Sequence, residues 1–356
     1  MQPSAQQSEI LLSRHRVSLM GIAMLGVMLF HLGNLFPAHG PLPWLVRETF
    51  WWGVDLFLFL SGLGCSYALQ RHGRYRFYIR RAERVLPVII LAGCLKSLAS
   101  EGTFNWASIH DLRRLLCFDQ WYVVTYLVLV ALYPLMDKIL RRFRHGGLLL
   151  FAVISIQPAL AMAVLPSPVY QLGIVSWTLT RAPAFVLGAW MALLYAQGND
   201  ILKRFAPGVH LCWILAMAAA YFTLHQYYGK TGFATDTPVN LIIFVSLALP
   251  SFCYLSAKCL DRLHRSAELK GGGQTLFPRI LALFGTMSLE LYLVHEFFYS
   301  AMLSFSEEWS LPVFMLAGFG VSLLSAFLLH KGTAFLLRFL STFLRRNKLS
   351  CQPDAD

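Results

Sequence analysis

The sequence predicts an all-α fold: a polytopic integral membrane bundle of about 10 transmembrane helices with both termini cytoplasmic. Three observations predict it. Of 356 residues, 57% are hydrophobic and only 13% charged, with a mean hydropathy of +0.56, far from the balance of a soluble domain. About ten stretches reach the ~20 mostly apolar residues that a span requires. Most of the thirty Lys and Arg residues fall in every second gap between those stretches.

The first span, 17–37, follows Arg14 and Arg16. It has the length of an anchor with no small-residue cleavage site after it, so it is expected to remain in the mature chain. The second, 50–70, carries Asp55, and the gap after it holds Arg71, Arg74, Arg76, Arg80, Arg81 and Arg84. The third, 84–99, leads into the longest external loop, 96–119. The fourth, 120–137, is closed by Lys138, Arg141, Arg142 and Arg144. Spans at 147–165 and 170–196 precede Lys203 and Arg204, and spans at 207–226 and 237–257 precede a basic gap from Lys258 to Arg279. The ninth, 280–304, contains Glu290, His295 and Glu296, and the tenth, 309–336, contains His330. With a cytoplasmic N-terminus, twenty-three basic residues lie inside and five outside. That asymmetry sets the orientation and calls for an even number of spans. The chain therefore divides into a cytoplasmic segment 1–16, a membrane domain 17–337 and a basic cytoplasmic tail 338–356.

The net charge of +12 is accounted for by this bias and by anionic lipid headgroups, so no nucleic-acid partner is called for. Seven cysteines form no C-x-x-C pair and read as packing residues, with no metal site expected. The absence of a P-loop and of internal repeats disfavours an ATP-driven machine.

Ionisable groups inside spans are costly in hydrocarbon, so they mark candidate chemistry. They are His31, Asp55, Arg181, Glu290, His295, Glu296 and His330. A neutral imidazole at His31 near the membrane face suits a general base, although a lone histidine in a bundle is more often simply hydrogen-bonded there. Asp55, among apolar neighbours, needs either an ion-pair partner or a substrate contact. Ser288, Tyr292 and His295 recur at helical spacing and share one face, whereas Glu290 points ~140° away from His295 toward a partner within the bundle. Trp51, Trp52, Trp121, Tyr122, Trp177, Tyr227, Tyr228 and Trp309 read mostly as headgroup-level belt residues, with a few able to stack on a sugar ring.

Five segments together resemble the acyltransferase-3 family, bacterial integral membrane enzymes that move acyl groups onto carbohydrates. They are Phe30-His31; Gly53-Val-Asp-Leu-Phe-Leu-Phe-Leu-Ser-Gly62; Arg80-Arg81-Ala-Glu-Arg84-Val-Leu-Pro87; Arg181-Ala-Pro183-Ala-Phe185-Val-Leu-Gly188; and Ser288-Leu-Glu-Leu-Tyr292-Leu-Val-His295. Each alone is weak; their order and topology carry the resemblance over most of the chain. One departure is that the family's usual arginine eleven residues before the first-helix histidine is here Met20. Eleven residues turn to within ~20° of three full turns, so that arginine and His31 would share a face ~16 Å apart. Arg16, one turn earlier and long enough to snorkel, is the candidate substitute.

The resemblance implies a membrane O-acyltransferase, most often an O-acetyltransferase. No cofactor would be bound permanently, and acyl-CoA, acetyl-CoA first, would be the donor substrate. His31 and Asp55 would be catalytic, and Arg16, Arg80, Arg81 and Arg84 would meet the donor's phosphates. Arg181, Ser288, Tyr292 and His295 would contact substrate. The partners implied are the lipid bilayer of the inner or plasma membrane, a carbohydrate or lipid-linked sugar acceptor, and proteins of polysaccharide biosynthesis. Loop 96–119 is the expected place for acceptor contacts. Two alternatives remain open: a secondary transporter, which commonly shows related halves not found here, and a non-catalytic membrane protein of glycan export.

Overall fold

A chain that crosses lipid must satisfy its backbone hydrogen bonds within each segment, and every secondary-structure element described here is helical. The computed structural model describes residues 11–35, 49–101, 121–142, 173–229, 241–269, 276–303 and 310–350, with isolated positions at 46 and between 147 and 155. The helices are α1 (Leu11–Arg14), α2 (Arg16–Leu35), α3 (Gly53–Glu101), α4 (Trp121–Arg142), α5 (Gly173–Ala196), α6 (Pro207–Gly229), α7 (Ile242–Leu269), α8 (Leu276–Thr286), α9 (Ser288–Leu303) and α10 (Leu311–Ser350). A 3-10 turn, Leu202–Arg204, links α5 to α6.

Seven of these helices are long and apolar enough to cross a membrane, or eight if α8 and α9 count as one broken span. The expected ten differ for two reasons. Spans two and three are the two arms of α3, which meet at Gly73 and count together as one long stretch; the arginine-rich gap between them is otherwise helical, and arginine is a good helix former. The fifth expected span, 147–165, lies largely outside the described residues. Straight, the 46-residue apolar part of α3 would measure about 70 Å, more than twice the hydrocarbon thickness. It is instead broken at Gly73, whose φ of 70° and ψ of 171° leave the helical region. The expected ninth span is also not straight. At Met287 the chain turns by 82° between α8 and α9.

The first arm of α3 is the centre of the bundle: every residue from Gly53 to Ser66 is buried, so this helix is enclosed on all sides. Glycines let it approach its neighbours to backbone contact. A Cβ at Gly62 would come within 2.0 Å of the Phe185 carbonyl oxygen, and one at Gly188 within 1.9 Å of that of Phe59. These reciprocal positions clamp α3 to α5. On the other side α8 lies on α2 in the same manner, with Gly21 against Leu281 and Gly285 against Val17. Helices α6 and α10 stand at the periphery and turn exposed side chains such as Leu211, Leu215, Leu324 and Leu328 outward.

The bundle has two chemically different ends. Trp51, Trp121 and Trp177 lie at or near the starts of α3, α4 and α5. The opposite end gathers Arg14 and His15 from the chain's beginning onto Asp261 near the end of α7, at 3.2 and 3.6 Å, with Arg265 joining at 2.7 Å.

Candidate functional site

A cleft of about 530 Å³, counting its open mouth, lies among α2, α3, α4 and α9. Arg16 opens α2, Arg81 and Arg84 follow the Gly73 break in α3, and Ser288 begins α9; all four line this cleft. Arg81 donates to the Tyr126 hydroxyl at 2.9 Å, and its guanidinium sits 5.7 Å from the centre of the Phe77 ring. The Arg16 guanidinium lies over Gly64, where a Cβ would be only 2.2 Å from its Nη2. Among the described residues no carboxylate lines the cleft and none is ion-paired with Arg16, Arg81 or Arg84. Three convergent guanidinium groups without a counter-ion suit an anion such as a phosphate. The rest of the wall is largely apolar, with Met20, Phe57, Val85, Val123 and Leu289. Arg80 takes no part: it is exposed, and its Nη1 donates to His72 Nε2 at 2.7 Å.

A file of rings leads from the cleft to a histidine pair. Tyr122, on the cleft wall, meets Tyr292 with ring centres 4.8 Å apart; Tyr292 lies 5.8 Å from His295, and His295 lies 5.0 Å from His31. His295 is 1% exposed. Its Nδ1–H donates to the carbonyls of Leu291 and Tyr292, each at 2.9 Å, which fixes the tautomer and leaves a lone pair on Nε2. That Nε2 is buried without a partner. His31 Nδ1 stands 3.6 Å from Glu296 Oε1, so the carboxylate faces one ring nitrogen and leaves Nε2 for other work. Sequence reasoning counted Glu296 among the ionisable groups within spans but gave it no role, because the partner that defines that role sits on α2.

The face expected from Ser288, Tyr292 and His295 is turned inward, since all three are buried and they run from the cleft to the histidines. Glu290, on another side of α9, takes His330 Nδ1 at 2.8 Å, in keeping with the direction inferred from its helical angle.

Asp55 is completely buried and is bonded to Arg181, itself 6% exposed. The ion pair holds the base of the Arg-x-Pro-x-Phe-x-x-Gly helix to the centre of the bundle. Arg181 is framed by three indoles: its Cζ lies 5.8 Å from the ring centre of Trp51, 5.1 Å from Trp121 and 5.7 Å from Trp177. Trp121 and Trp177 stack on each other at 4.9 Å. The sequence reads most of the eight edge aromatics as belt residues and leaves a few for other contacts; Trp51, Trp121 and Trp177 are three that meet a buried cation. Trp52 packs edge-on against Phe252 at 4.9 Å. The side chains of Tyr227 and Tyr228, the position of Trp309, and most of loop 96–119 lie outside the described residues.

A family model described as an acyltransferase domain matches residues 19–331, from the first turn of α2 into α10. No curated protein and no solved structure matches the chain.

Proposed function

Because the chain belongs to the acyltransferase-3 family and is a membrane acyltransferase, we propose that it is an O-acyltransferase, with acetyl-CoA as donor and a hydroxyl of a cell-surface polysaccharide or lipid-linked sugar as acceptor. The observation that carries this reading is the convergence of Arg16, Arg81 and Arg84, with no carboxylate among the described residues that line it, on a cleft joined by Tyr122 and Tyr292 to His295 and His31.

In this reading the arginines hold the phosphates of the coenzyme, and the apolar wall around Met20 and Phe57 accepts its thioester arm. Arg16 supplies the guanidinium that Met20 does not. His31 Nε2 takes the proton of the acceptor hydroxyl while Glu296 steadies the imidazolium from the Nδ1 side. The oxygen attacks the thioester carbonyl, the C–S bond breaks, and the thiolate leaves with the proton returned from His31. His295 Nε2 accepts a hydrogen bond from a second, neighbouring hydroxyl of the acceptor. Asp55 orients Arg181 through the buried ion pair. The basic end of the bundle faces the cytoplasm, with both termini there, and the tryptophan end faces the opposite side of the plasma membrane.

The test is transfer from radiolabelled acetyl-CoA by purified protein in liposomes, wild type beside His31→Ala. Label reaching a glycan acceptor, lost in the variant while the protein stays folded, is the expected result. Transfer at the wild-type rate by His31→Ala would overturn the assignment.

A further inference from the structure

We propose that the three tryptophans around Arg181 form a binding site for the pyranose ring of the acceptor, a deepening that rests on the acyl-transfer reading above. Belt tryptophans place their amphipathic rings at the headgroup level. Here the indoles of Trp51, Trp121 and Trp177 come from three helices and converge on one buried guanidinium. The wall continues onto α6, where Trp51 meets Tyr221 at 4.9 Å and Tyr221 lies parallel to His225 at 5.6 Å. Trp177, at 39% exposed, brings the frame to the surface.

Two polar atoms of the Asp55–Arg181 pair have unfilled hydrogen-bonding capacity. Asp55 Oδ1 and Arg181 Nε are both buried without a partner. An acceptor and a donor left unpaired in the same ion pair are costly, and they match two adjacent hydroxyls, one donating to Oδ1 and one accepting from Nε–H. Trp121 and Trp177 stack on each other and the guanidinium covers the three rings, so the flat patch of ring C–H groups meets the frame at its exposed edge, Trp177. A cationic ligand is disfavoured, since the centre of the frame already holds a guanidinium. A lipid chain would leave both polar atoms unsatisfied. A neutral ring with hydroxyls at its edge satisfies every part. Trp121 meets Tyr122 with ring centres 6.5 Å apart, and the file of rings continues through Tyr292 to His295, so the frame is joined ring by ring to the histidine pair.

The experiment titrates the purified full chain in nanodiscs with methyl β-D-glucopyranoside, methyl β-D-galactopyranoside and, as an acyclic polyol, sorbitol, reading tryptophan fluorescence. A saturable change with at least one glycoside and none with sorbitol is expected. Half-saturation should rise about three- to tenfold in Trp177→Leu and much less in Trp177→Phe. Both variants are checked for wild-type thermal unfolding, and Trp121→Phe serves if Trp177→Leu does not fold. No saturation with either glycoside, an equal response to sorbitol, or an unchanged half-saturation in folded Trp177→Leu would overturn the proposal. Acetyl-CoA turnover is measured on the same samples: turnover without a sugar response removes the sugar site alone, and a sugar response without turnover leaves the site standing and removes the acyl-transfer reading.

Discussion

Replacing Arg181 by leucine leaves the Asp55 carboxylate, 0% exposed, without the cation that holds it. Stranding one charge of a buried pair costs ~3–5 kcal/mol. The mirror change, Asp55→Leu, strands the guanidinium, but three indole faces at 5.1–5.8 Å stay beside it and recover part of the loss, about 1–2 kcal/mol. Asp55→Leu should therefore cost less than Arg181→Leu. The double variant removes both charges and should be no less stable than the better single. The pair's coupling is then at least the cost of Arg181→Leu, ~3–5 kcal/mol. A double-mutant cycle by reversible unfolding in mixed micelles measures it. Additivity of the two single changes within ~0.5 kcal/mol would refute the argument, because independent sites add and bonded ones do not.

Arg81→Ala and Arg84→Ala should each raise the KM for acetyl-CoA about tenfold, the scale of one charge-assisted hydrogen bond, whereas Arg80→Ala should leave it near wild type; equal effects in steady-state kinetics would contradict the placement of Arg80 outside the cleft. Glu296→Gln should lower kcat about tenfold or more with little change in KM, and an unchanged kcat would show that His31 works without the carboxylate. Gly188→Ala pushes a methyl group to 1.9 Å from the Phe59 carbonyl oxygen and should cost ~1–3 kcal/mol in thermal unfolding, with more for valine. Wild-type stability for Gly188→Ala would mean that α3 and α5 are free to separate.

Membrane helices were legible in the sequence because a span's length and apolarity are set by the bilayer rather than by packing detail. The break in α3 was not: the stretch from Arg71 to Arg84 looks like a loop by charge, yet its residues favour helix, and only Gly73 carries the discontinuity. That discontinuity also decides which arginines reach the cleft. Arg81 and Arg84 line it and Arg80 does not, a matter of helical phase that spacing alone could not anchor. The Glu290 direction was readable, since a fixed angle from His295 is local geometry, and His330 took the place the angle pointed to. Which of the aromatics would meet Arg181 was not legible, because indoles near helix starts look the same in sequence whether they face lipid or a buried cation. Their meeting depends on contacts between α3, α4 and α5, and nothing local encodes that.

The glycine crossings have a consequence for motion. Gly62 and Gly188 hold α3 to α5, Gly53 sets α3 within Cβ-clash distance of Ala23 and Val27, and Gly21 and Gly285 hold α2 to α8. Backbone pressed on backbone has no flexible side chain to absorb a slide, so these four helices behave as one block. A carrier that works by rocking one half against the other needs a compliant seam through its middle, and here the middle is where the chain is tightest. In the acyl-transfer reading proposed above, donor and acceptor come to this block as it stands, and a gate for them would belong to the helices at its rim.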